Sequence, residues 1–256
     1  MLKLLKGSFI RLFRSSEFQI IPFLLVITNL MMIFMQRANI NGADTLPGLP
    51  LFDVFFHIMV LTICTASFVA LFVGTEYSNA TIFNKIIFGH SRTAVYFTYL
   101  LTCLFAAAMF QLFAASVTAL IGWAALGKPL FTFGIFVSRY LLSLPPLFAV
   151  VALHLAIAVT LQNRAVSVAV SAGISTVMLF ASMFLCNDEN CTKEYFDFLP
   201  DFYLNKLIMT DGLIAEGVIE KLNFPLYPCI LFIFCTFAGL VVFNNINIKN
   251  TPEGEV

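Results

Sequence analysis

The sequence predicts an all-α membrane protein with six transmembrane helices. To these it adds an N-terminal amphipathic interfacial helix, a short cytoplasmic helix between spans 2 and 3, and short outer helices before span 6. Three observations carry this. The 256 residues are 60% hydrophobic and 11% charged, with a mean hydropathy of +0.94, whereas soluble domains run roughly 45–50% apolar and about 25% charged. Six stretches contain no Asp, Glu, Lys or Arg over lengths of 19, 22, 35, 24, 23 and 27 residues. No period-two alternation marks barrel strands, and a helix satisfies its own backbone in lipid. High hydrophobicity also excludes a disordered chain, and a formal net charge of zero leaves no basic excess for a nucleic acid.

A crossing needs about 20 apolar residues. The expected spans are about 18–36, 54–74, 94–123, 140–161, 166–186 and 226–246, within one transmembrane domain covering 1–256. The 35-residue stretch is too short for two helices and a turn, and is expected to form one helix with an interfacial end. The first apolar run is longer than a signal-peptide core of about 7–15 residues, and no small-residue cleavage site follows. Eight of the fourteen Lys and Arg, four of them before the first span, fall on the face shared by both termini. Positive charge stays inside, so both termini are expected to be cytoplasmic.

Two further segments are neither spans nor short turns. In residues 1–16, Leu2, Leu5, Phe9, Ile10, Leu12 and Phe13 cluster on a helical wheel opposite Lys3, Arg11, Arg14 and Ser15. That pattern predicts a helix lying in the membrane interface. The outer loop, 187–224, holds eight of the fourteen acidic residues between apolar runs. So long a segment without structure is uncommon, so short helices packed on the bundle are expected there.

Few residues suggest covalent chemistry. Gly122 to Lys128 matches half of a phosphate-binding loop, but Pro129 stands where a hydroxyl must hold Mg²⁺. His57, His90 and His154 show no metal-ligand spacing. His154 lies inside the fourth span, where a neutral imidazole hydrogen-bonded between helices is expected. Cys64, Cys103, Cys229 and Cys235 sit in spans as small hydrophobes. Cys186 and Cys191 bracket a short acidic turn at the outer face, where either a disulfide or free thiols fit. No catalytic or metal site is expected.

The informative stretch runs from Gly74 to Arg92. Ser78 or Asn79 can cap a helix. Ile82 with Ile86, and Phe83 with Ile87, are pairs four residues apart, and Gly89 is a stop signal. A helix over about 79–88 is therefore expected along the cytoplasmic surface, with Asn84 and Lys85 free for a partner. Glu76, at the membrane boundary, is expected to tolerate charge reversal without loss of folding.

This stretch resembles the first cytoplasmic loop of the ABC type-2 exporter permeases, which reads approximately E-Y-x-x-G-T-I-R-N-K-x-x-x-G-x-S-R. Glu76, Tyr77, Thr81, Ile82, Asn84, Lys85, Gly89, Ser91 and Arg92 match, while Ala80 replaces Gly and Phe83 replaces Arg. The motif covers 17 residues; the order of spans and loops extends the likeness over most of the chain. The resemblance implies a permease without its own ATPase or cofactor. Two permease chains, identical or different, would pair above two cytoplasmic ATPase subunits that bind ATP and Mg. The loop helix would be a coupling helix, with Glu76, Tyr77, Thr81, Asn84, Lys85, Gly89, Ser91 and Arg92 transmitting ATP-driven motion and Glu76 anchoring the lever. Permeases of this size resemble those that export, or confer immunity to, peptide antibiotics such as lantibiotics and bacitracin, so an amphipathic or lipid-like cargo is implied. The rival classes are an intramembrane hydrolase, which requires paired catalytic groups at one depth, and a secondary carrier, which requires midplane carboxylates.

Overall fold

The computed structural model describes residues 2–39, 57–126, 133–185, 197, 199–215 and 225–246. Within these residues every regular element is an α-helix: α1 (Leu2–Arg14), α2 (Ser16–Asn39), α3 (His57–Ser78), α4 (Thr81–Ile87), α5 (Arg92–Leu126), α6 (Phe133–Leu161), α7 (Arg164–Leu185), α8 (Pro200–Ala215) and α9 (Leu226–Asn245).

Five helices are long and apolar enough to cross a membrane: α3 over Val60–Ser78, α5 over Arg92–Ile121, α6 over Phe136–Leu161, α7 and α9. The sixth expected span falls on α2. There the apolar helix with described side chains, Ser16–Met31, is shorter than a crossing requires. Among the described residues the multi-pass helical character thus stands on five spans. The charge-free 35-residue stretch forms a single helix, α5, slightly longer than expected at 35 residues. Its length is about 52 Å at 1.5 Å per residue, more than the hydrocarbon thickness.

α3 is the hub, packing against α2, α5, α6, α7 and α8. Its apolar residues cover every face, as a helix surrounded by helices requires, and Leu61, Phe68, Val69 and Val73 are buried. α6 joins α3 to α9 and continues through Pro145 and Pro146, whose missing amide donors neighbouring helices can tolerate in a membrane bundle. α7 meets α3 and α6, and buries Ser167, Ser171, Ser175 and Ser182. Small polar residues let membrane helices approach closely. Gly74 completes that contact: a Cβ there would lie 2.8 Å from Arg164 Cα.

α1 lies against α5, with Leu12 buried and Phe9 edge-on to Phe105 at 5.0 Å. Its Ile10 and Phe13 remain exposed beside the exposed Ile20 and Phe23 of α2. α1 thus buries one side and leaves an apolar strip exposed. Within 187–224 the described helix is α8, which begins at Pro200, a residue suited to a first helical position. Cys186 and Cys191 lie outside the described residues, as do Gly127 and Lys128 of the phosphate-loop look-alike.

Candidate functional site

Four elements converge at the end of the bundle that carries α1 and α4. α3 does not stop at residue 74 but runs through Glu76 and Tyr77 to Ser78, which moves Glu76 from the expected loop into the last turn of a buried helix. Glu76 is 1% exposed. A carboxylate so enclosed requires compensation, and three side chains from three other elements supply it. Arg11 of α1 pairs with Oε1. Lys85 of α4 donates to Oε2 at 2.9 Å, and the hydroxyl of Tyr99 on α5 donates to the same oxygen at 2.6 Å. Lys85 also donates to the Tyr99 hydroxyl at 2.8 Å and sits over its ring, while Arg11 lies over Phe72, one turn before Glu76. One carboxylate thus fastens α1, α4 and α5 to α3.

The cluster corrects two expectations. Lys85 is not free for a partner: it is turned inward and fixed on Glu76. Burial, with the Arg11 guanidinium nearby, pushes its ammonium down to about 8 despite that contact. Glu76 is an enclosed structural anchor rather than a boundary residue open to charge reversal.

α4 itself is shorter than expected, Thr81–Ile87. Its N-cap residue is neither Ser78 nor Asn79. The residue before its first turn is Ala80, in the left-handed region at φ 52°, and no side chain caps the amides. An L-residue there costs about 1–2 kcal/mol. This gives a physical reason for glycine at the matching position of the exporter loop. Ala80→Gly removes the strain at the expense of a more flexible unfolded chain, which offsets about half of it. The purified variant is expected to melt about 1–3 °C higher. An unchanged or lower Tm would show that the turn is not strained.

The remaining matched residues separate into two roles. Arg92 donates to the carbonyls of Phe243, Asn244 and Ile246 at 3.2, 3.1 and 2.8 Å. It closes the C-terminal end of α9, where orphan carbonyls and the helix dipole favour a cation, and does not join the Glu76 cluster. Ser91 Oγ accepts from the Ala94 amide and begins α5. Gly89 ends α4 at φ 86°. Tyr77 is buried, with its hydroxyl 3.5 Å from the Val159 carbonyl.

The exposed surface of α4 is apolar. Ile82 is buried, but Ile87 is 62% and Phe88 80% exposed, beside the exposed Asn84. The i,i+4 pattern set Ile87 beside Phe83 on the apolar side of the expected helix. The short helix instead turns it outward together with Phe88. A signal existed in the sequence: five apolar residues among the seven from Ile82 to Phe88 are more than one face of a two-turn helix can bury.

A second polar cluster lies beneath α8. Lys206 pairs with both oxygens of Asp197 at 3.1 and 3.2 Å, Arg139 donates to the Leu207 carbonyl at 3.2 Å, and Asn205 donates to Ser182 at 2.5 Å. These groups are buried. Composition foretold an acidic loop but not that Asp197, Asp201 and Lys206 are buried. Burial pushes the Asp201 carboxyl up to about 6, with nearby Thr62 pulling the other way. A carboxyl raised above its unfolded value binds more protons when folded, so stability falls as pH rises from about 4 to about 6. Asp201→Asn is therefore expected to stabilise the protein by about 1–2 kcal/mol at pH 7, and to lose that advantage near pH 4. Thermal melts of both proteins at the two pH values check the sign.

His154 is bonded as expected: its Nε2 is 2.9 Å from Ser175 Oγ, joining α6 to α7. Both residues are 1% exposed, and Nδ1 has no hydrogen-bond partner. The pair has neither the orienting partner nor the open approach that a nucleophilic serine requires. Among the described residues no group of three metal-ligating side chains occurs. No protein-family model, curated protein or solved structure matches this chain.

Proposed function

We propose that this chain is the membrane-spanning permease subunit of an ATP-binding cassette exporter, with α4 as the element that receives motion from a separate ATPase. The observation that carries this reading is a two-turn helix fixed to three others through one buried carboxylate, yet presenting Ile87 and Phe88 outward. Exposed aromatic and aliphatic residues on a rigid support are what a groove on a partner takes as an anchor. A push on such an anchor would reach α1, α3 and α5 together, biasing a two-state bundle. The similarity of the Glu76–Arg92 string to the exporter loop supports the same assignment. In this reading the bundle has six spans and lies in the plasma membrane with both termini inside. It pairs with a second permease chain and moves an amphipathic cargo outward, with ATP and Mg held by the partner.

The partner-facing residues are accordingly Ile87, Phe88 and Asn84, while Glu76, Lys85, Arg11 and Tyr99 form the linkage behind them. The test is affinity purification of the tagged chain from its native membranes. An ATPase carrying a complete phosphate-binding loop is expected to co-purify. Phe88→Asp should reduce its recovery about tenfold, the effect of losing one interface anchor, without changing the yield of the permease. Absence of any such ATPase from the wild-type preparation, or full recovery with Phe88→Asp, would overturn the assignment of α4.

A further inference from the structure

A cavity of about 480 Å³ lies between α1 and α4, bounded by Lys3, Ser8, Arg11, Glu76, Lys85 and His90. Its charge is unbalanced. Glu76 is the one carboxylate among these residues, and both its oxygens are already engaged, Oε1 by Arg11 and Oε2 by Lys85 and Tyr99. Lys3 brings a further cation, and His90 a ring nitrogen able to donate. Ser8 also lines the cavity; it is 4% exposed, and its hydroxyl has no hydrogen-bond partner among the described residues. Buried polar groups are rarely left unsatisfied, so the hydroxyl points to something that occupies this space.

We infer that this cavity binds a phosphate group of net negative charge, held by Lys3, Arg11 and Lys85 with hydrogen bonds from Ser8 and His90. Three observations converge on it. Surplus positive charge in a partly enclosed site favours a small anion with several acceptor oxygens. Lys3, Gly7 and Arg11 recur every four residues along one face of α1, and Gly7, which also lines the cavity, leaves open space where a side chain would stand. Burial, and the Arg11 cation nearby, push the Lys85 ammonium down, and an anion beside these two cations would offset both effects. The exposed Ile10 and Phe13 place α1 at the depth of lipid headgroups, where basic pockets take anionic lipid. A phospholipid headgroup and soluble phosphate present the same chemistry to these residues.

Phosphate binding here is independent of any ATPase partner and is read without one. The purified full-length protein in detergent is titrated with dioleoylphosphatidylglycerol, dioleoylphosphatidylcholine or sodium phosphate, and bound species are counted by native mass spectrometry. Phosphatidylglycerol is expected to be retained about tenfold more tightly than phosphatidylcholine. The double variant Lys3→Gln with His90→Gln should remove that preference. Lys6→Gln, which lowers the charge of α1 away from the cavity, should keep it. Ser8→Ala should weaken phosphatidylglycerol binding while Tm stays level or rises, because the hydroxyl has no protein partner to lose. Displacement of the lipid by phosphate on the order of millimolar assigns the site to the soluble anion, and resistance assigns it to the headgroup; both uphold the phosphate site. Equal retention of the two lipids with no phosphate bound, or equal losses with Lys6→Gln and the double variant, would overturn it.

Discussion

Glu76→Lys is expected to prevent accumulation of folded protein in the membrane. The wild-type carboxylate is enclosed and touches Arg11, Lys85 and Tyr99. Reversal would place three cations in one buried junction with no anion. Removing one partner of a buried pair already costs about 3–5 kcal/mol, and a reversed charge adds repulsion to that loss. Against a typical folding stability of about 5–15 kcal/mol, that is a large share. Fluorescence-detected size-exclusion of a tagged variant should show loss of the monodisperse peak. Glu76→Gln separates charge from shape, since an amide oxygen can still accept from Tyr99. Combining it with Lys85→Met in a double-mutant cycle should return a coupling of about 0.5–3 kcal/mol. Additive effects, or a monodisperse Glu76→Lys protein, would mean that the junction does not hold the helices together.

Gly74→Leu should be the second most damaging change. A Cβ at Gly74 meets the backbone at Arg164 Cα, 2.8 Å away, and the Arg164 side chain at 3.2 and 3.3 Å. A backbone atom cannot swing aside like the end of a side chain, so α3 and α7 must separate. Overpacking costs about 1–3 kcal/mol and occasionally more; a leucine is expected at the top of that range or above, and an alanine near its lower end. Gly173, within α7, is the internal control: a Cβ there meets nothing within 4 Å. Gly173→Ala should raise stability by up to about 1 kcal/mol through helix propensity. Melting temperatures in the order Gly173→Ala, wild type, Gly74→Ala, Gly74→Leu are the expected result. A Gly74→Leu protein that melts with wild type would show that the α3–α7 contact is looser than the structure has it.

The two experiments probe features that differ in how far the sequence reveals them. Hydropathy and the placement of charges located α3, α5, α6, α7 and α9 to within a few residues at most ends, because an apolar run of that length has few stable alternatives in lipid. The N-terminal helix was legible because its apolar residues recur on one face. The string from Glu76 to Arg92 marked the right region but not the right roles. Nothing in its spacing says that Lys85 turns back onto Glu76, that Arg92 leaves the cluster to close α9, or that Ile87 and Phe88 stay outside. Glu76 itself was placed beyond the span because an isolated carboxylate ends a transmembrane helix; paired across three helices, it extends one.

Composition and periodicity by themselves determined that the chain is a multi-pass helical membrane protein, and where most of its helices lie. These properties follow from transfer of backbone and side chains into lipid, which acts on each segment separately. The tertiary structure decided which charges are buried and with whom. Arg11, Glu76, Lys85 and Tyr99 come from four separate elements, and Asp197, Lys206 and Arg139 from around α8 and from α6. The free energy of a buried charge depends on partners brought by other helices, and no window along the sequence contains them.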